Sequence, residues 1–180
     1  MEQAETMSGK SVADAGQDEA QMQPVRRSIR VKATPERAFR VFAEEMDSWW
    51  PKSHHIGSSP MKGIVVEGRA GGAIYTVQED GANCPWASVI AWEPPHRFVF
   101  AWQVTPGWKY ESDLSRCSEV EILFTPADDG TTLVELEHRH FERHGEGWET
   151  MRDAVGTEMG WNGTLALYAA KAEESALLAS

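Results

Sequence analysis

With 180 residues, the chain has room for one domain with a sizeable core but not for two of ordinary size. Its 17 basic and 28 acidic residues leave a formal charge of −11, which repels phosphate backbones and anionic lipid surfaces and argues against nucleic acid or a membrane as partner. No apolar run approaches the roughly 18 residues of a membrane helix. Cys84 and Cys117 lie in a chain that opens on no signal-peptide pattern, so free thiols in a reducing cytoplasm are expected.

Residues 1–23 are rich in Gln, Ser, Gly, Ala and acids without an apolar period, and read as a disordered leader. From Val25 to Val31 partial alternation predicts a strand. Thr34-Pro35-Glu36 then reads as N-cap, first helical residue and dipole-favoured acid of a short helix that buries Ala38, Phe39 and Phe42. Pro51 holds Trp50 out of the helical region, so the Trp49-Trp50 pair marks a bend with at least one indole inward. His54-His55 follow in a loop closed by Gly57 and Pro60, and read as solvated.

Four strands are predicted over 64–67, 72–78, 86–92 and 97–103, separated by short breaks rich in turn formers. Connections this short pair neighbours as antiparallel hairpins. In the fourth, Phe98, Phe100 and Trp102 share the inner face. The same parity places Trp86, Ser88, Ile90 and Trp92 together, although Ala87, Val89 and Ala91 compete for the inside. Residues 104–116 form a connection long for a hairpin, carrying Trp108 and Tyr110, and suggest a lid. Strands resume over 119–125 and 131–141 across an Asp-Gly turn; in the second, His138 and His140 share the inner face by parity, and Glu135, Glu137 and Arg139 the outer. A short helix over 148–155, a break near Gly156 and a long helix from Gly160 to about Ala172 complete the order. Trp161, Thr164, Leu165 and Tyr168 form one apolar stripe on that helix.

Eight tryptophans exceed what a core of this size needs. They either fill the space between sheet and helix or line a cavity there. No nucleophile elbow, phosphate loop, paired-Cys metal motif or dinucleotide fingerprint is present, so no catalytic residue, cofactor or metal ligand set is assigned.

Several local patterns go beyond the order of elements: Thr34-Pro35-Glu36-Arg37-Ala38-Phe39, Trp49-Trp50-Pro51, Gly71-Gly72, Pro94-Pro95-His96-Arg97, Phe124-Thr125-Pro126 and 136–145 with Gly160-Trp161. In these the chain resembles the SRPBCC superfamily, and more narrowly its branch related to the C-terminal domain of the activator of Hsp90 ATPase. The resemblance implies an α+β helix-grip fold of the START or Bet v 1 type over 24–175: a curved antiparallel sheet of six or seven strands around a long C-terminal helix, with two short helices after strand 1. Residues 176–180 would form a tail. A small hydrophobic or aromatic molecule would then occupy a cavity between sheet and helix. Trp50, Tyr75, Trp86, Phe100 and Trp102 would line it, with Val120, Ile122 and Leu136 from the last strands and Trp161, Leu165 and Tyr168 from the helix. His138 and His140 would anchor polar groups.

The resemblance also implies two other readings. One is a partner of an Hsp90-type chaperone, though only the C-terminal-type domain is represented. The other is a cyclase-type enzyme in which His138 or His140 is a general base on an enolisable ligand; otherwise His138 is hydrogen-bonded and plugs one end of the cavity. An exposed Trp92 or Trp108 would suit a homodimer.

Overall fold

Val25–Val31 forms β1, whose two end valines are buried while Arg26 and Arg30 face solvent. The structure, a computed structural model, describes residues 23–178, with side chains to Glu174. The expected leader therefore lies outside the described residues except for Gln23. After β1 the chain enters helix α1, Pro35–Phe39, where the Thr34 side chain accepts a hydrogen bond from the Arg37 N–H at 3.3 Å. A wider π turn over Arg40–Glu44 extends it and buries Val41, Phe42 and Ala43. A 3-10 turn at Met46–Ser48 then delivers Trp49 and Trp50 to the interior.

The remaining strands are β2 Met61–Val66, β3 Ala73–Gln78, β4 Asn83–Glu93, β5 Arg97–Trp102, β6 Ser118–Pro126 and β7 Thr132–Arg139. They form one seven-stranded sheet in the order β1-β7-β6-β5-β4-β3-β2, antiparallel throughout. Consecutive strands from β2 to β7 pair with one another, through short turns except for the long connection 103–117 between β5 and β6, and β1 closes on β7 across the whole domain. On the outer face Arg139 bridges Glu119, Glu121 and Glu137, and Arg97 reaches Glu121, so the alternation of β6 and β7 puts charge outward as expected.

Strand β4 departs from simple parity. Ala87 pairs with Ile74 and Pro85 with Tyr75, which leaves Trp86 as an extra residue against β3. Val89 pairs with Phe100 and Ala91 with Val99, which leaves Ile90 extra against β5. Each bulge shifts the alternation by one residue. Trp86 and Trp92 consequently both reach the concave side, while Ile90, grouped with them by parity, is 43% exposed.

Past β7 comes helix α2, Trp148–Val155, ended by Gly156. The chain turns at Glu158–Asn162, where Gly160 adopts φ −87° and ψ −130°, and continues as the long helix α3, Gly163–Leu178. Thus α3 runs into the expected tail. Trp161, Thr164, Leu165 and Tyr168 are all buried, so the predicted stripe faces the sheet. Among the described residues no helix is long and apolar enough to cross a membrane.

The interior has two unlike ends. At one, Phe42 packs edge-on against Tyr168 at 4.9 Å and near Trp49 at 5.0 Å, with Phe39, Phe98 and Phe124 completing a solid aromatic cluster. The Tyr168 O–H donates to the Ala38 carbonyl at 2.9 Å, pinning α3 to α1, and burial raises its pKa. At the other end, between Trp50, Trp86, Trp102 and Trp161, the space stays open.

The break before α3 depends on Gly160. A Cβ there would collide with the Val155 carbonyl and stand 2.9 Å from that of Ala154. Gly160→Ala should therefore lower stability by about 1–3 kcal/mol, read as a lower urea midpoint. An unchanged midpoint would show that the break has another origin.

Candidate functional site

The open end is a cavity of about 340 Å³ with a mostly aromatic wall. Trp86 comes from the bulge of β4, Trp102 from the end of β5, Trp50 from the bend after α1 and Trp161 from the turn before α3. Trp50 stacks on Trp86 at 5.1 Å with 30° between the rings, and Trp86 meets Trp102 edge-on at 5.7 Å. Trp161 closes the wall against Trp50 at 6.0 Å and Trp102 at 5.9 Å. Val155 and Thr164 seal the helix side.

Of the residues expected to line the space, Trp50, Trp86, Trp102 and Trp161 do so, and the others lie elsewhere. Tyr75 is on the strand face opposite the buried Ile74 and Thr76. Phe100 sits behind Trp86, with its ring 6.0 Å away. Val120, Ile122, Leu136, Leu165 and Tyr168 belong to the filled core. His140 is not inward: β7 ends at Arg139, and His140 takes left-handed backbone at φ 65°, so strand parity no longer applies. Its half-exposed ring points at Glu142, 3.6 Å away.

His138 is fully buried behind Trp102 and Trp161, one layer away from the cavity. Its Nδ1 accepts from the Trp161 indole N–H at 3.2 Å, and its Nε2 stands 2.7 Å from the Ser118 hydroxyl. An indole can only donate. Neutral His138 therefore carries its proton on Nε2 and donates it to Ser118 Oγ. Ser118 in turn meets His144 Nε2 with its hydroxyl at 2.8 Å and its backbone N–H at 3.3 Å, making that nitrogen an acceptor. The chain from Trp161 to His144 runs in one sense and fixes the Trp161 ring in the wall.

Parity could not reach the remaining wall residues. The loop after Trp50 folds over the cavity, so His54, His55 and Ile56 line it rather than facing solvent. The Trp50 indole N–H holds this loop by donating to the His54 carbonyl at 2.9 Å. Burial lowers the His54 pKa from its ordinary 6.5, leaving the ring uncharged at neutral pH. The connection 104–116 is tied down at its base, where the buried Gln103 side chain donates to the Glu111 carbonyl at 3.0 Å. It brings Val104 and Trp108 to the mouth. Trp108 has φ 59°, a left-handed backbone that costs a side-chain-bearing residue about 1–2 kcal/mol. Its indole is 51% exposed, and Met159 opposite is 79% exposed. The only advance signals were the aromatic content of the arm and the two histidines following a tryptophan bend.

Three polar atoms on this wall are buried without a hydrogen-bond partner among the described residues: the indole nitrogens of Trp86 and Trp102, and Nδ1 of His55. Among the described residues no three His, Cys, Asp or Glu side chains gather as a metal site requires. Cys84 and Cys117 are free thiols.

The sequence model of the family described as Activator of Hsp90 ATPase homolog 1-like protein matches residues 32–170. The chain belongs to this family, within the SRPBCC superfamily. Curated proteins give no match. Among solved structures, the chain is 36% identical to an anthrahydroquino-gamma-pyrone synthase, Txn09, over 82% of this chain and 95% of that one, with a TM-score of 0.58. It is 26% identical to the self-sacrificing resistance protein CalC from Micromonospora echinospora, over 86% and 97%, with a TM-score of 0.59. Protein NE0264 from Nitrosomonas europaea, 16% identical over 87% and 97% with a TM-score of 0.62, shares the helix-grip fold.

In this family member the His138 and His144 pair ties stability to pH. Burial, reinforced by His144, lowers the His138 pKa well below 6.5, and burial lowers that of His144. The unfolded chain binds protons at both sites below about pH 6.5 while the folded chain resists them. Stability should thus be complete above about pH 6.5 and decline as pH falls, by at most about 1.4 kcal/mol per pH unit for each histidine. Thermal melts between about pH 7.5 and 5.5 should show a falling Tm, with a shallower slope in His138→Gln. A Tm constant across that window would contradict the neutral, directional chain.

Proposed function

We propose that the chain binds a small, flat aromatic molecule in the cavity between β4, β5 and the start of α3. The observation that supports this best is the gathering of five tryptophans, Trp50, Trp86, Trp102, Trp108 and Trp161, around one space of about 340 Å³. That volume is in the range of small-molecule sites, which are apolar with few polar groups. Walls of indole faces reward a ligand that is itself flat, by offset or edge-on contact. A net charge of −11 favours a neutral ligand over an anionic one. The likeness to Txn09, a synthase named for an anthrahydroquinone-type pyrone, points to a fused-ring ligand.

A second reading, a ring-closing or proton-abstracting enzyme, is supported by His54 together with that same likeness. His54 is the imidazole on the cavity whose lowered pKa leaves it free to accept a proton at neutral pH. His138 is sealed behind the tryptophans and His140 lies outside, so neither reaches a ligand in this cavity. An Hsp90-associated role, the alternative carried by the family description, would act through the outer surface and leave the cavity unused.

Titration with 2-(hydroxymethyl)anthracene should quench tryptophan fluorescence saturably. Trp108→Gly relieves the left-handed backbone, so it should keep or raise the Tm while weakening binding about tenfold through the lost ring contact. Absence of saturable quenching in the unmodified chain with both this probe and 2-(hydroxymethyl)anthraquinone would remove the binding reading.

For the enzyme reading, the chain should accelerate exchange of the anthrone methylene protons with D2O, at a rate level from about pH 8 down to 6.5 and falling only below. His54→Gln should slow that exchange by about 100-fold with anthrone affinity unchanged. Exchange no faster than in buffer would exclude His54 as the base.

A further inference from the structure

The indoles of the interior divide into two groups by the fate of their N–H. Trp49 donates to the Val41 carbonyl at 2.7 Å, Trp50 to the His54 carbonyl at 2.9 Å, and Trp161 to His138 Nδ1 at 3.2 Å. Trp86 and Trp102 donate to nothing among the described residues, although they are only 5% and 8% exposed. Both belong to the cavity wall, and so does His55, whose Nδ1 is also unpartnered. Five buried side-chain atoms lack partners among the described residues, and three of them are on residues of this one wall. A purely apolar guest would leave all three unsatisfied, whereas native interiors leave few polar atoms so.

We propose that Trp86 and Trp102 are specificity-determining donors, and that the ligand is a fused aromatic carrying ring carbonyl oxygens, of quinone type, rather than a hydrocarbon. The inference rests on the aromatic-ligand reading above and adds the chemistry of its polar groups. Indole N–H groups are donors only, so they select acceptors and reject ligands whose ring edge presents donors. A carbonyl is the neutral acceptor that a flat conjugated ring carries in its own plane. It meets the charge condition as well, since a phenoxide or carboxylate would enter a protein of charge −11. Trp86 and Trp102 stand edge to face, 5.7 Å apart and 74° between planes, so their N–H groups are not aligned in parallel. Two oxygens at different positions of one ring system suit that arrangement. His55, donor or acceptor according to tautomer, offers a third contact. The competing account is that each N–H rests against a neighbouring aromatic face as a weak donor. In that case carbonyl oxygens gain nothing on entry.

The two accounts separate with a matched probe pair, 2-(hydroxymethyl)anthraquinone and 2-(hydroxymethyl)anthracene, titrated calorimetrically into the full chain. Apolar transfer alone favours the anthracene. The proposal expects the anthraquinone to bind about tenfold or more tightly, the equivalent of one well-made hydrogen bond. Trp86→Phe and Trp102→Phe keep a ring and lose the donor, so whatever ring contact is lost falls on both probes alike, and each variant should cut the anthraquinone preference about threefold or more. Equal affinities in the unmodified chain, or a preference that survives in both phenylalanine variants, would overturn the assignment while leaving the aromatic-ligand reading intact. The comparison in the unmodified chain decides even where a variant fails to fold. If neither probe binds, the aromatic-ligand reading itself fails.

Discussion

The long helix is pinned to the rest of the molecule at two points, and the distance between those pins sets the shape of the interior. At one, the Tyr168 hydroxyl donates to the Ala38 carbonyl and its ring packs on Phe42 and Trp49. At the other, the Trp161 indole donates to His138, itself held by Ser118 and His144. The first pin draws the long helix onto α1 and the aromatic cluster that fills that end. The second holds helix and sheet apart by the thickness of indole rings, and a space persists because the rings that could fill it are already committed to one another. Trp50 on Trp86 and Trp102 on Trp161 brace like arch stones, since turning any one sacrifices a stacked or edge-to-face contact with each of two others.

The bulges in β4 are what give this arch its stones. A regular strand alternates sides, and across eleven residues it could not send both Trp86 and Trp92 inward while keeping Ala87 and Val89 buried. Two extra residues, Trp86 against β3 and Ile90 against β5, reset the alternation twice. Trp92 goes to the packed end beside Phe39, and Trp86 to the open end beside Trp50. The same strand therefore builds both the solid core and the cavity, and its irregularity separates them.

Much of the architecture could be read along the chain. The Thr34-Pro35 cap, the Asp129-Gly130 turn and the aromatic alternation of Phe98, Phe100 and Trp102 are local signals, and each element they predict is present. The stripe on the last helix needs only a period of 3.6 and an apolar partner, and it is buried as that period implies. The site was far less legible. Parity fails wherever the backbone leaves the strand, as at the bulges of β4 and at His140, where a left-handed residue turns the ring outward. The loop with His54 and His55 lacks any periodicity, and it is held over the cavity by hydrogen bonds to distant or non-repeating partners, the Trp50 indole to the His54 carbonyl and the Ser59 N–H to the Gln78 side chain.

By itself, then, the sequence determined which segments become strands and helices, which faces are apolar, the family pattern, and that tryptophan would dominate the interior, because these follow from interactions between residues close along the chain. Only the tertiary structure decided that the interior is filled at the Tyr168 end and hollow at the Trp161 end, that His138 stands behind the wall and His54 in it, and which indoles lack acceptors. Those outcomes depend on volumes and hydrogen-bond partners supplied by residues such as Trp50, Trp86, Trp102 and Trp161, which are far apart in sequence. No local pattern encodes whether such side chains, once brought together, fill the space between them or leave it open.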